Sequence, residues 1–247
     1  FDDEGHWFSL AVASAAESPF ELETLTPDDV NDAALRRNDV VVLLNVGSLD
    51  NQQTSIIVDY VKNGGALLIA PGDRVNPDLF NVQFQEITPA ALEGQETVDD
   101  YSVIADFDRR HPIMRPLETD WSARFDRHWR LVPNAEANVV MQFDNSDPAL
   151  MEREIGEGKV ILFASAMDLE WNNLPLQGLF LPFIHETLRH LVQPELKQRA
   201  YSIGDTFSVD ISDEANLVTA QNPRGEEIIF ANQDYVVEAA LPGFIEA

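Results

Sequence analysis

Two short aliphatic runs joined by an amphipathic segment constrain this chain more than any other feature. Asp39 to Val46 reads DVVVLLNV and Ala66 to Ala70 reads ALLIA. Unbroken β-branched and aliphatic runs of this length are expected of strands buried on both faces of a parallel sheet. Between them, Asp50 to Lys62 sets Ile56, Ile57, Tyr60 and Val61 on one helical face. Asn63-Gly64-Gly65 follows with residues that accept the positive φ of a helix end. Strand, helix and strand in this order make a right-handed crossover, so the fold class is α/β.

The flanking segments extend the pattern. Trp7, Phe8, Leu10, Ala11 and Ala15 fall at helical spacing, and Phe20 to Leu25 alternates as a strand would. Thr26-Pro27-Asp28-Asp29 carries a cap residue and a first-turn proline, predicting a short helix that ends near Arg37. From Pro71 to about Asp120 the chain is rich in loop residues, with Thr97 to Phe107 readable as helix or strand and Trp121 to Leu131 as extended. Asn138 to Phe143, Ala149 to Ile155 and Lys159 to Ala164 read as strands. The tight Gly156-Glu157-Gly158 turn makes the last two a hairpin that extends one end of the sheet with antiparallel strands. Leu179 to Val192 is a helix with Phe180, Ile184, Leu188 and Leu191 as its buried stripe, closed by Pro194.

Beyond this the pattern changes. Thr206 to Ile211, Leu217 to Ala220, Glu227 to Phe230 and Tyr235 to Ala239 are short alternating segments. Turn clusters such as Ser212-Asp213 and Asn222-Pro223-Arg224-Gly225 separate them. The expected division is an α/β domain over 1–196 and a small β-sandwich-like module over 197–247. Both ends read as cut, the first strand of the sheet being absent ahead of Phe1 and the last strand of the module breaking off after Pro242-Gly243-Phe244.

Composition sets the limits on chemistry. Cysteine is absent, which excludes disulfides, thiolate metal sites and a thiol nucleophile. The 43 Asp and Glu outnumber the 16 Lys and Arg, for a net charge of −27. No basic stripe offsets this field, so nucleic acid is excluded as a partner. The acidic residues are dispersed, as on a folded surface acidic all over, and a salt-loving source would account for them. The longest apolar runs fall far short of the roughly 18 to 20 residues that span a bilayer, and no basic leader precedes them.

Several phrases in order carry a resemblance. They are Asn63-Gly64-Gly65-Ala66-Leu67-Leu68-Ile69-Ala70-Pro71-Gly72-Asp73, Arg110-His111-Pro112-Ile113, Gly156 to Phe163, Trp171-Asn172-Asn173-Leu174-Pro175-Leu176, and Leu179 to His185. Together they resemble the soluble region of BatA-like, aerotolerance-related bacterial membrane proteins, which is in turn similar to the class I glutamine amidotransferase-like fold. The resemblance covers roughly residues 7 to 192. It implies a flavodoxin-like, mostly parallel open sheet with helices on both faces. It also implies an extracytoplasmic position at the cell membrane, held by segments outside this chain, with other envelope or membrane proteins as partners.

In that fold the nucleophile is a cysteine on a tight turn after a central strand. Here the turn reads Pro71-Gly72-Asp73, so hydrolysis of glutamine by the thiol route is excluded. Asp73 is a candidate nucleophile or metal ligand, with the local hydrogen-bonding role of an aspartate after a turn as the alternative. His111 is a candidate base, or a residue satisfying loop carbonyls. Ser48 lacks the small flanking residues of a nucleophile elbow and reads as a cap for the next helix. His185 could line the sheet's edge near Trp171, or be a histidine satisfied by a loop carbonyl, and His128 between Arg127 and Trp129 reads as a surface or packing residue. Five residues on a helix is about 500°, so His185 and His190 point apart and cannot share a metal. The pairs Asp99-Asp100, Asp106 with Asp108 and Asp168 with Glu170 match no calcium-loop spacing. No metal and no cofactor are expected. The loop Trp171, Asn172 and Asn173 is either an exposed aromatic platform for a sugar or peptide, or a buried plug. The expected function is a non-catalytic interaction or ligand-binding domain, with Pro71, Gly72, Asp73, Trp171, Asn172 and Asn173 as its binding residues. The alternatives are a hydrolase without cysteine at the C-terminal end of the sheet, and a carbohydrate-binding module centred on Trp171.

Overall fold

The computed structural model describes residues 3–14, 18–117 and 121–192, and four strand segments beyond them. The chain divides into two compact units, Phe1–Pro194 and Glu195–Ala247.

In the first unit the elements run α1 (Asp3–Ala13), α2 (Asp32–Arg36), β1 (Val40–Leu44), α3 (Asn51–Lys62), β2 (Ala66–Ala70) and α4 (Pro77–Phe84). There follow β3 (Ala90–Ser102), β4 (Ile104–Phe107), β5 (Phe125–Pro133), β6 (Asn138–Phe143), β7 (Pro148–Ile155), β8 (Gly158–Phe163) and α5 (Phe180–Val192). Six strands make one sheet in the order β1-β2-β8-β7-β6-β4. The β1–β2 and β2–β8 pairings are parallel, whereas β8–β7, β7–β6 and β6–β4 are antiparallel. The sheet is thus mixed and not mostly parallel. Short turns between β6, β7 and β8 leave no room for crossover helices and force neighbouring strands to reverse. A separate antiparallel ribbon pairs β3 with β5.

Two local expectations also change. All five residues of β2 are buried, as its sequence requires, but β1 is an edge strand and four of its five residues are only half-buried. Its aliphatic run packs against the core on one side without strand neighbours on both. Phe20 to Leu25 forms no strand; Phe20 and Leu25 simply anchor an irregular segment on the core. Ser48 does not cap α3. Asp50 does, its carboxylate accepting from the Gln53 N–H at 2.7 Å.

Helices cover both faces of the sheet, and one dipeptide shows why. Successive strand residues point to opposite faces. A Cβ on Gly158 would collide with the Val61 carbonyl of α3, whereas Lys159 reaches His190 of α5. Glycine therefore lets α3 approach one face while its neighbour engages α5 on the other. The buried stripe of α5 contains Phe180, Ile184, Leu188 and Leu191 as expected, together with the polar His185, Thr187 and His190.

The second unit contains two antiparallel pairs, β9 (Thr206–Ser208) with β12 (Val236–Glu238), and β10 (Val218–Gln221) with β11 (Glu227–Phe230). Pro194, the turn clusters at 212–213 and 222–225, and the segment 242–244 lie outside the described residues.

Candidate functional site at the C-terminal end of the parallel strands

The parallel strands β1, β2 and β8 end side by side, and the residue types just past them differ from the aliphatic strands. Asn45 follows β1, Pro71-Gly72-Asp73-Arg74 follows β2, and Asp168 lies five residues beyond β8. Strand ends of open α/β sheets gather side chains in this way because the loops diverge above a common edge.

Asn45 organises the cluster. It is buried and adopts φ 47°, a left-handed conformation that asparagine tolerates better than most residues. Its side-chain N–H groups donate to Glu4 Oε1 at 2.6 Å and to Asp73 Oδ1 at 2.8 Å, and its carbonyl accepts from the Arg74 N–H at 3.0 Å. Both N–H donors and the oxygen of the amide are engaged. Glu4, brought in by α1, is buried, and its second oxygen stands 3.8 Å from the Arg74 guanidinium. Gly72 makes this packing possible, since a Cβ there would lie 2.5 Å from Asn45 Cγ. Asp73 and Arg74 form the exposed rim.

Asp168 completes the site. Its Oδ1 accepts from the N–H groups of Glu170 and Trp171, both at 2.9 Å. Burial nevertheless pushes its carboxyl up to about 6, and the negative charge of Glu4 adds to the shift against those two hydrogen bonds. A carboxyl poised near neutrality beside other carboxylates is what proton-transfer sites use.

The expected site residues scatter. Asp73 bonds Asn45 and meets neither candidate histidine in a hydrogen bond. His185 Nε2 donates to the Ala11 carbonyl at 3.0 Å, tying α5 to α1, so it satisfies a backbone carbonyl. Trp171 and Asn172 are 1% and 2% exposed, which removes the aromatic platform. Asn172 donates to Ser165 Oγ and the Ala166 carbonyl, and Asn173 Oδ1 accepts from the Arg124 N–H. The loop is a plug that ties the end of β8 to the start of β5. Pro71 is buried beneath the Asp73 rim.

His111 joins a cluster the sequence did not reveal. Its Nδ1 accepts from the Ile113 N–H, leaving Nε2–H to donate to Glu152 Oε2 at 2.9 Å. His190 Nε2 approaches Glu152 Oε1 at 2.5 Å, and Lys159 Nζ stands 3.2 Å from that nitrogen and 3.8 Å from the carboxylate. All four are nearly buried. Burial alone would raise Glu152, but the hydrogen bonds from His111 and His190 and their charges outweigh it and hold the carboxyl well below its usual range. His111, Glu152 and His190 could together ligate an ion, yet the Lys159 ammonium already supplies positive charge there. A second three-residue group of ligating type, Glu96, His128 and Asp147, lies in the β3–β5 ribbon and the β6–β7 turn.

The missed residues, Glu4, Asn45, Glu152 and Lys159, come from separate elements. A polar residue directly after an aliphatic strand, as at Asn45, was the one available signal.

A model of the family described as ThuA, trehalose utilisation, matches residues 8–166. The chain belongs to this family. No curated protein matches it in sequence. Among solved structures, the ThuA-family chain is similar to a cytoplasmic protein of Salmonella typhimurium. The two share 19% identity at a TM-score of 0.65, over 74% of this chain and 85% of that one. A putative ThuA-like protein from Bacteroides uniformis matches at 12% identity and TM-score 0.56, over 76% and 82% of the two chains. A β-galactosidase from Bacillus circulans shares the fold at 12% identity and TM-score 0.55, covering 87% of this chain but 29% of the enzyme. The class I glutamine amidotransferase-like fold stands. None of these matches supports the BatA-like resemblance, on which the extracytoplasmic, membrane-anchored position rested. Among the described residues no helix is long and apolar enough to cross a membrane. None of these matches speaks to a salt-loving source.

Proposed function

We propose that the first unit of this ThuA-family chain binds a small polyhydroxylated ligand of the sugar class at the C-terminal end of β1, β2 and β8, without nucleophilic catalysis. The observation that carries this reading is the Asn45 amide, held at positive φ between Glu4, Asp73 and Arg74. Carboxylates accept from ligand hydroxyls, and the Arg74 guanidinium donates to them, so the exposed rim offers the mixed polarity that a polyol requires. The family's description as trehalose utilisation points to the same ligand class. Titration calorimetry with trehalose and a panel of mono- and disaccharides tests it. Binding that weakens at least tenfold in Asp73→Asn supports the reading, and no heat with any sugar at millimolar concentration overturns it.

The Asp168 carboxyl favours a second reading, sugar hydrolysis without a covalent thiol step. A carboxyl near 6 beside a second acidic side chain, Glu4, is the kind of pairing that glycoside hydrolysis uses. Turnover of the bound sugar with a pH limb near 6 that disappears in Asp168→Asn would replace the binding-only reading.

A further inference from the structure

We propose that Glu96, His128 and Asp147 form a binding site for one divalent first-row transition-metal ion, Zn²⁺ or Mn²⁺, between the β3–β5 ribbon and the β6–β7 turn.

The placement follows from strand register. Glu96 on β3 and His128 on β5 are directly opposed in the antiparallel ribbon, which puts their side chains on one face as near neighbours. Asp147 enters from the turn just ahead of β7, where Ser146 takes φ 71° and the Asn145 side chain holds the loop. Asn145 Oδ1 accepts from the Asp147 N–H, and Asn145 Nδ2 donates to Asp147 Oδ2, both at 2.9 Å. One ligating atom from each of the three residues lies within 4.8 Å of the others. That spacing suits a central ion with ligands about 2.0 to 2.2 Å away.

The histidine points to an ion and not to chance. His128 is completely buried. Its ring stacks on Phe143, with centroids 4.3 Å apart and planes 25° from parallel, so its orientation is fixed. Nδ1 faces the Trp129 carbonyl at 3.4 Å, so Nε2 is the nitrogen left for a ligand. Nε2 is buried and has no hydrogen-bond partner among the described residues. A buried nitrogen without a partner is costly, and a bound ion would relieve that cost. A ring whose second nitrogen faces a backbone carbonyl, with the first free, is arranged as metal-binding histidines are. Neither carboxylate is ion-paired to a lysine or arginine among the described residues, unlike Glu152 beside Lys159. Two carboxylates and one imidazole favour a cation that takes both oxygen and nitrogen. Three protein ligands also leave positions open for water or substrate.

The site lies at the same end of the sheet as the Asn45 cluster. Leu150 of β7 pairs with Phe163 at the end of β8, and the Trp129 N–H donates to the Ala164 carbonyl. The metal proposal is independent of the sugar reading, because different residues carry it.

Calorimetric titration of the full, chelator-treated chain with Zn²⁺, and separately with Mn²⁺, tests it. One ion per chain is expected. Affinity should fall at least tenfold in both Glu96→Gln and Asp147→Asn and stay unchanged in Asp106→Asn, which alters an exposed carboxylate elsewhere. X-ray absorption of the zinc adduct should show an imidazole nitrogen in the first coordination sphere. No binding up to 1 mM with either ion, equal losses in Asp106→Asn, or a shell of oxygens alone would overturn the proposal. Because the two test substitutions are at half-buried positions, folding can be confirmed by circular dichroism without touching His128.

Discussion

Two buried carboxylates in one domain carry opposite instructions. Glu152 lies within the sheet beneath α5, where two histidines donate to it and a lysine balances its charge. Asp168 lies past the C-terminal end of β8, where among the described residues it receives only backbone hydrogen bonds and faces other acids. Both lose water, yet Glu152 is driven below the usual range and Asp168 above it. Burial does not set the sign; the partners do. The first arrangement braces the fold, tying the His111 loop and β8 to α5. The second keeps a carboxyl in a state that costs stability, which native structures tolerate mainly where function requires it.

The largest expected effect attacks the brace. Glu152→Ala leaves a lysine and two histidines buried without their carboxylate and should cost about 3–5 kcal/mol, measured by chemical denaturation at pH 7. The depressed carboxyl contributes stability that is present above its unfolded value of about 4.5 and lost as pH falls through its folded value. The gap between wild type and variant should therefore narrow in acid. A loss below 1 kcal/mol at pH 7 would remove the contrast between the two regions.

Asp168→Asn should act in the other direction. The folded carboxyl sits near 6 against an ordinary 3.8. Below 3.8 both states are protonated and nothing is gained. Between 3.8 and 6 the folded state increasingly bears the cost, and above 6 it bears it in full. Two pKa units correspond to about 3 kcal/mol at most. The amide oxygen can still accept from Glu170 and Trp171, so the variant should be more stable than wild type at pH 8 and indistinguishable from it near pH 3. Thermal melts at both values check this, and destabilisation at pH 8 would make Asp168 a second brace.

Gly72→Ala gives the smallest change. Its Cβ presses on Asn45, and the overpacking should cost about 1–3 kcal/mol. Sugar binding should fall further than that stability loss explains, because Asn45 holds Glu4 and Asp73 together. Unaltered binding in a folded variant would separate Asn45 from the ligand.

Much of the frame was legible in the chain itself. The crossover of β1, α3 and β2, the hairpin of β7 and β8, and the stripe of α5 all follow from hydrophobic periods of one strand or one helix. Such patterns are local, so the sequence displays them. Sheet order is not local. The edge position of β1 and the addition of β6 and β4 beyond the antiparallel hairpin depend on which strands meet, and an aliphatic run looks alike in either place. The irregular Phe20 to Leu25 shows the same limit, because alternation can arise from two anchoring residues without any pairing.

The sites divide along the same line. The sequence by itself determined that no thiol chemistry is possible, that Asp73 stands on a turn after a buried strand, and that His185 and His190 diverge. Only the tertiary structure decided that Asp73 answers to Asn45 and Glu4, that His111 and His190 converge on Glu152, and that Glu96, His128 and Asp147 meet. Each constellation draws on three or more separate elements. Side-chain chemistry is written residue by residue, but the distances that turn it into a site are set by packing across the sheet.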